Sequence, residues 1–570
     1  MMSWVKANKV CFGMVLFYLL AVYGCIHLQI PSNMRFCAIY ILPFLLFLCY
    51  LIYEYKNHKL SEKIDVKSIV FIIVILLLNF VLIIKTIEKY GLYQIYGIVS
   101  FKLDLMILFF SILFLYGVFL QKWKLENIFL TVAVPMGIFM MFNMPLRIVP
   151  DEVAHIYTSY RNADILLGIN SMNDETFSLR KTDSALFTDN IEYACDLEMM
   201  NSYYSKASDY TGLDEVIDIS STNTLAVNDI SHCISAIPIA FCKLQGINGF
   251  WTFMSGRTIN LFCYILLIYL SIKYIPFAKL LPFTIALLPM AVQQGMSYSY
   301  DSWIISSSIY VISVSLALFD KSVEIPKQDI ILLIITSISL TIMKSKAYIL
   351  IGLFPLYMAV QNKYKQNKLW KRIWIFILII LFGFIGYALL DKIFDFPDFF
   401  TEPYNPISWC NNEQGYTFQY CLNNPMVFLH LVLNTTHLFP MYLGQLICRG
   451  MGWLNINLSY IIWIIFFVAL FLSVSFSGEK YEVSNEIISY MFFSILVTII
   501  GIFYGLMVGW TTVTSAVILG VQGRYFIPLL PMIGVIIYSY IPKKIQNKNL
   551  WTLLLVFGYM FTVIELISRF

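Results

Sequence analysis

Apolar runs long enough to cross a bilayer constrain this chain more than any other feature. Spanning ~30 Å of hydrocarbon as a helix takes roughly 17–25 residues. Runs near that length cover 8–29, 34–53, 68–87, 103–120, 127–146, 256–274, 278–296, 302–320, 373–391, 456–476, 485–507, 525–541 and 551–568, with a shorter pair at 329–344 and 346–360. Residues 231–247, interrupted by Pro238, read either as a re-entrant or interfacial helix or as a further span. Only 13% of the 570 residues are charged, against about 25% in soluble domains. So little charge cannot coat a water-soluble particle, which excludes soluble enzymes, disordered scaffolds and nucleic-acid-binding modules. The expected fold is an all-α polytopic membrane protein, a multi-helix bundle of about 14–15 transmembrane helices.

The net charge of +4 hides an asymmetry. Between Arg147 and Ser231 fifteen acids face five bases, so the rest of the chain is strongly basic. Lysines and arginines in short loops set orientation. They gather in alternate loops: Lys56, Lys59, Lys63 and Lys67; Lys122 and Lys124; Lys363, Lys365, Lys368, Lys371 and Arg372; Lys543, Lys544 and Lys548. With Lys6 and Lys9 inside, all of these fall on the cytoplasmic side. The segments 147–231, 392–455 and 508–524 then face outward. The first run has no small-residue cleavage site and reads as a retained anchor.

Of eleven cysteines, Cys195, Cys233, Cys410 and Cys421 lie in outward-facing stretches and are the disulfide candidates. Cys410 with Cys421 is the local pairing, although spacing alone does not fix connectivity.

Ionisable groups gather at the outer ends of helices, and the spans read as nearly clean. Carriers and pumps instead place charge mid-span. In the stretch 145–161, Pro150 suits a helix's first turn, with Asp151 and Glu152 beside it and His155 one turn on. Acids there favour the helix dipole by ~0.3–1 kcal/mol whatever else they do; the alternative is a catalytic or metal-binding carboxylate pair. Arg524 stands at the outer mouth of a span, before Tyr525 and Phe526. It reads either as a guanidinium snorkelling to lipid headgroups or as a bidentate phosphate holder. Arg257, Asp301, Lys344 and Lys346 mark other outer helix ends, where solvated charge and site residue are both open readings. Gly256 is suited to close packing beside Arg257.

The combination resembles the GT-C class of polytopic glycosyltransferases. More closely, it resembles a bacterial family of predicted membrane proteins of unknown function within that class. The residues that carry the resemblance are Pro150-Asp151-Glu152-x-x-His155, Ser255-Gly256-Arg257, Tyr300-Asp301 and Gln522-Gly523-Arg524-Tyr525-Phe526-x-Pro528. It implies a catalytic core over 127–541, including the outer segments 147–231 and 392–455. Transmembrane helices at 1–126 precede that core and one at 542–570 follows it. It further implies an inverting transferase in the cytoplasmic membrane of a bacterium. Such an enzyme moves sugar from a polyprenyl-phosphate donor to a glycan, wall-polymer or lipid acceptor on the outer face.

On that resemblance Asp151 is the base, and Glu152 orients the acceptor or a metal. Arg524 holds the donor phosphate, helped by Arg257, Lys344 and Lys346. His155, Asp301 and Tyr525 support the site. Metal dependence is open: Asp151, Glu152 and Asp301 either share a divalent Mg²⁺ or Mn²⁺ or bind none. The partners expected are the lipid-linked donor, the acceptor and membrane lipids, with no nucleic acid. The alternatives are a polysaccharide polymerase or ligase and a transporter of lipid-linked glycan.

Overall fold

The computed structural model describes residues 66–92, 94–120, 122–171, 174–187, 196–220, 230–319, 323–363, 406–407, 410, 413–417, 420, 424–475, 481–541 and 548–569. The expected spans at 8–29, 34–53 and 373–391 lie outside them. The fold is an all-α polytopic membrane protein. The described part opens with α1 (Val66–Tyr90), α2 (Ile95–Leu115), α3 (Leu125–Asn143) and α4 (Glu152–Leu166). A small elaboration follows: β1 (Thr176–Arg180), α5 (Leu197–Ser205) and β2 (Val216–Ser220). The chain re-enters the bundle through α6 (Ile230–Leu244), α7 (Gly249–Tyr274), α8 (Leu280–Ala286), α9 (Pro289–Met296), α10 (Asp301–Phe319), α11 (Lys327–Ile342) and α12 (Phe354–Lys363). It closes with α13 (Pro425–Thr435), α14 (Phe439–Ile447), α15 (Tyr460–Ser475), α16 (Asn485–Trp510), α17 (Leu530–Tyr540) and α18 (Lys548–Arg569).

Seven helical runs among the described residues are long and apolar enough to cross a membrane: Phe71–Tyr90, Ile95–Val118, Leu125–Asn143, Gly249–Tyr274, Asp301–Leu318, Met426–Ile447 and Asn485–Trp510. Several expected spans are broken, and proline explains the breaks. Residues 278–296 do not form one helix; α8 ends at Ala286 and α9 begins with Pro289, with Leu288 extended between them. A proline lacks the N–H of the helical ladder and pushes its predecessor out of helical conformation. The 525–541 run begins as a 3₁₀ turn, Gly523–Leu529, before α17. The 346–360 run divides at Leu353, ahead of α12 and Pro355. Met426–Ile447, placed by sequence within an outer segment, is instead a long apolar helical run, and only 17% of its apolar window is buried.

The centre is α10, which packs on α7, α9, α11 and α12. Of its spanning window, 94% is buried. Ser302, Ser306, Ser307, Ser308, Ser313 and Ser315 keep it slim, and small residues let membrane helices approach closely. The acidic segment folds back on the bundle. In it α4 packs on α6, and β1 pairs antiparallel with β2. Its five bases are tied to the chain itself: Arg147 to the Phe187 carbonyl, Arg161 to that of Asp174, Arg180 to Asp183, Lys181 to Glu215 and Lys206 to the Ala185 carbonyl.

One ion pair fixes how α4 enters the bundle. The side chains of Arg257 (α7) and Glu152 (the first residue of α4) are both fully buried. Arg257 Nε donates to Glu152 Oε1 at 2.9 Å, and Nη2 donates to Oε2 at 2.6 Å. Its other donors reach the carbonyl oxygens of Met141 (3.3 Å), Met144 and Pro145 (3.0 Å). Glu152 also accepts the backbone N–H of Arg147 (2.9 Å) and of Tyr298 (3.3 Å). Beside Arg257, a methyl group on Gly256 would stand 2.0 Å from the Tyr298 hydroxyl, so glycine is required there.

Removing one partner of a buried, fully satisfied ion pair costs about 3–5 kcal/mol, because the survivor is left charged and unpaired. Glu152→Gln should lose about that much in denaturant unfolding in detergent. The double variant Glu152→Gln/Arg257→Met should lose less than the two single losses added together. A Glu152→Gln protein as stable as the parent would show that the pair is not the clamp.

Candidate functional site

The clamp fixes Glu152, and the residue before it turns the other way. Asp151 caps α4 in the left-handed region, φ +62°, with its side chain exposed. Aspartate is among the few non-glycine residues that visit this region readily. Lys344 (φ +45°) and Lys346 (φ +64°) share that conformation in the 3₁₀ turn Lys344–Lys346 after α11. Strain of about 1–3 kcal/mol per such residue persists only where surrounding structure enforces it. Asp151 and Lys344 belong to one cluster of side chains.

Its centre is Asp301, the buried first residue of α10. Lys344 Nζ donates to Asp301 Oδ1 at 2.7 Å. Arg524 Nε, in the 3₁₀ turn Gly523–Leu529, lies 3.3 Å from Oδ2, close enough for an ion pair but out of line for a hydrogen bond. The Lys344 ammonium also sits over the Tyr525 ring, 3.5 Å from its centroid, and 5.2 Å from that of Tyr300. Tyr348 donates its hydroxyl to the Tyr525 carbonyl at 2.8 Å and holds the 3₁₀ turn in place. Asp151 lies within electrostatic reach of Lys344, Arg524, Tyr300 and Tyr525. Two cations and a carboxylate are thus held largely away from water, with a second, exposed carboxylate at their edge. Charge acts most strongly in such surroundings.

Behind this cluster His155 meets Tyr300 edge to face, with centroids 4.8 Å apart. Its Nδ1 lies 2.8 Å from His232 Nε2 on α6, one ring donating to the other. Burial, then His232, Arg524 and Lys344, hold the His155 imidazole well below its ordinary pKa, so it is neutral at pH 7.

Residues 134–533, which enclose every member of this cluster, match the family described as "Predicted membrane protein (DUF2142)". The chain belongs to the DUF2142 family. No curated protein matches it, and no solved structure does. Within this DUF2142 chain the family match begins inside α3 and ends inside α17, leaving α1, α2 and α18 outside.

The structure gathers Asp151, Asp301, Lys344, Arg524, Tyr525 and His155 at one end of the bundle. Lys346 is half-buried in the same turn as Lys344. Glu152 and Arg257 do not join them. Each satisfies the other, which corrects the expectation that Glu152 faces acceptor or metal and that Arg257 helps hold phosphate. The set Asp151, Glu152 and Asp301 therefore does not assemble as metal ligands. Among the described residues no group of three or more His, Cys, Asp or Glu is placed to hold a metal. Cys410 has no disulfide partner among the described residues, Cys233 receives the Asn162 amide, and Cys195 and Cys421 lie outside them. His232 and Tyr348 carry no signal in the sequence; His232 stands 77 residues from His155, and no spacing links them.

Burial pushes the Lys344 ammonium down to about 8, with Asp301 opposing the shift. As pH rises through about 8 the group loses its proton and the cluster loses a positive charge. Binding of inorganic pyrophosphate to the purified protein, followed by calorimetry, should weaken across that interval. Lys344→Arg, always charged, should remove the fall. An unchanged alkaline fall in that variant would assign it to another group.

Proposed function

We propose that this chain is a membrane glycosyltransferase. It takes a sugar from a polyprenyl-phosphate donor and transfers it to a glycan, wall-polymer or lipid acceptor on the outer face of a bacterial cytoplasmic membrane. The observation that carries the reading is the exposed Asp151 carboxylate at the rim of the buried Arg524–Asp301–Lys344 cluster. The orientation rests on the basic short loops, which put the N-terminus in the cytoplasm and this end of the bundle outside.

The chemistry needs few groups. Asp151 takes the proton from an acceptor hydroxyl as that oxygen attacks the anomeric carbon. The bond from that carbon to the carrier phosphate breaks, and its electron pair leaves with the phosphate. Arg524 and Lys344 oppose the developing negative charge in a poorly hydrated site, where cations count most. Asp301 holds the two cations together so that their repulsion does not scatter them. One displacement inverts the anomeric centre.

The test is donor consumption by purified protein in nanodiscs, across a panel of polyprenyl-phosphate sugars with and without Mg²⁺ or Mn²⁺. Asp151→Asn should lower kcat by about 10²–10⁴-fold at an unchanged unfolding temperature, and Arg524→Ala should chiefly raise the donor KM. Full activity in Asp151→Asn would overturn the base assignment. A second reading, transport of the lipid-linked sugar, is favoured by one buried carboxylate inside a spanning helix, Asp104. Protein-dependent movement of labelled donor across a vesicle membrane, without turnover, would establish it.

A further inference from the structure

Asp104 lies in the run Ile95–Val118, one of the helices able to cross the membrane. The expectation of nearly clean spans does not hold at Asp104. The residue is fully buried, and neither carboxylate oxygen makes a formed hydrogen bond. An ionised carboxylate taken out of water is costly unless something compensates it. Among the described residues no cation pairs with it. Lys102 is on the exposed face of α2, and Lys89, at the end of α1, is bound to the carbonyl oxygens of Ile567 and Ser568.

The polar groups placed near Asp104 are oxygens. The Thr86 hydroxyl on α1 stands beside the carboxylate, and Tyr559 on α18 lies within reach of its charge. Ser100, one turn back on α2, shares its face. The hydroxyls of Thr86, Ser100 and Tyr559 are all buried without a formed hydrogen bond. Farther along the same face of α1, Asn79 donates its amide to the Ile75 carbonyl at 2.9 Å, which leaves Oδ1 unpartnered. A proton on Asp104 would remove the charge but leave most of these oxygens as they are. A desolvated hard cation uses several oxygens at once, and a single carboxylate matches a single positive charge.

We infer that Asp104, with Thr86, Ser100 and Tyr559, forms an intramembrane binding site for a monovalent cation, Na⁺. The site lies outside the family match, between three helices that the match does not include. Of these, α1 packs against both α2 and α18, and the Tyr90 hydroxyl donates to the Ile567 carbonyl at 2.6 Å. A bound ion joins all three helices, so occupancy stabilises this corner of the bundle.

The experiment uses the full chain in detergent, with NaCl exchanged for choline chloride at constant ionic strength. Na⁺ should raise the unfolding temperature saturably by several degrees, and radiolabelled ²²Na⁺ should bind saturably. Both responses should vanish in Asp104→Asn, whose unfolding temperature in choline should equal or exceed that of the parent. Should that variant not fold, Thr86→Val and Tyr559→Phe carry the test, each expected to weaken ²²Na⁺ binding. Parent protein indifferent to Na⁺, or stabilised by low pH alone, would overturn the proposal and leave Asp104 as a protonated acid. Asp151→Asn should bind ²²Na⁺ like the parent, so failure of the transferase reading is visible separately.

Discussion

The Glu152–Arg257 pair decides how the rest of this end of the bundle is arranged. Neither residue is exposed, and each satisfies the other's charge while binding backbone groups from three chain segments. Through Arg257 the end of α3 is held to α7; through Glu152 the start of α4 is held to the Ser297–Tyr300 turn ahead of α10. These are the segments that bear Asp151, Tyr300 and Asp301. Apolar burial alone would not hold this geometry, because between helices in lipid the hydrophobic effect supplies no driving force.

Adjacent acids therefore have opposite fates. Glu152 points into the bundle and is consumed by structure, whereas Asp151, held at φ +62°, points out and stays exposed. The same division separates the cations: Arg257 is bound on all sides, while Arg524 Nε approaches Asp301 without closing a hydrogen bond. A charge fully satisfied inside the protein contributes to shape. A charge held close to its partner but incompletely bonded remains able to interact with an incoming anion. The left-handed turns at Asp151 and Lys344 hold both charged groups in place against a conformational cost, which fits an arrangement enforced by its surroundings.

Much of the helical architecture was legible because spanning helices need only length and apolarity. The runs at 68–87, 103–120, 127–146, 256–274, 302–320 and 485–507 fall on helices of the bundle. Local proline chemistry overrode hydropathy at 278–296 and 525–541, since hydropathy does not register a missing N–H. Met426–Ile447 was hidden for the opposite reason: Pro440 and polar side chains interrupt a run whose residues are nonetheless helical. At the candidate site, the charged residues at helix ends were visible as sequence elements. Which of two neighbouring carboxylates faces a partner was not, because it depends on one backbone dihedral and on a residue 105 positions away. The His155–His232 contact likewise exists only once α4 and α6 are packed.

Asp104 shows a different limit. One acid in a long apolar run barely changes mean hydropathy, so a window average passes over it. Its environment nevertheless differs from that of every charge at the other site. Asp301 has two cations within ion-pair distance, whereas the groups placed near Asp104 are hydroxyls. The family match covers the first site and stops short of the second. The two sites thus belong to separable parts of the chain: a core whose charges are organised at one end of the bundle, and an added helical corner with one deep carboxylate. Their physical requirements are also opposed. The proposed transferase site needs access from outside the protein and cations held out of water, and the proposed cation site needs burial and a positive charge supplied from elsewhere.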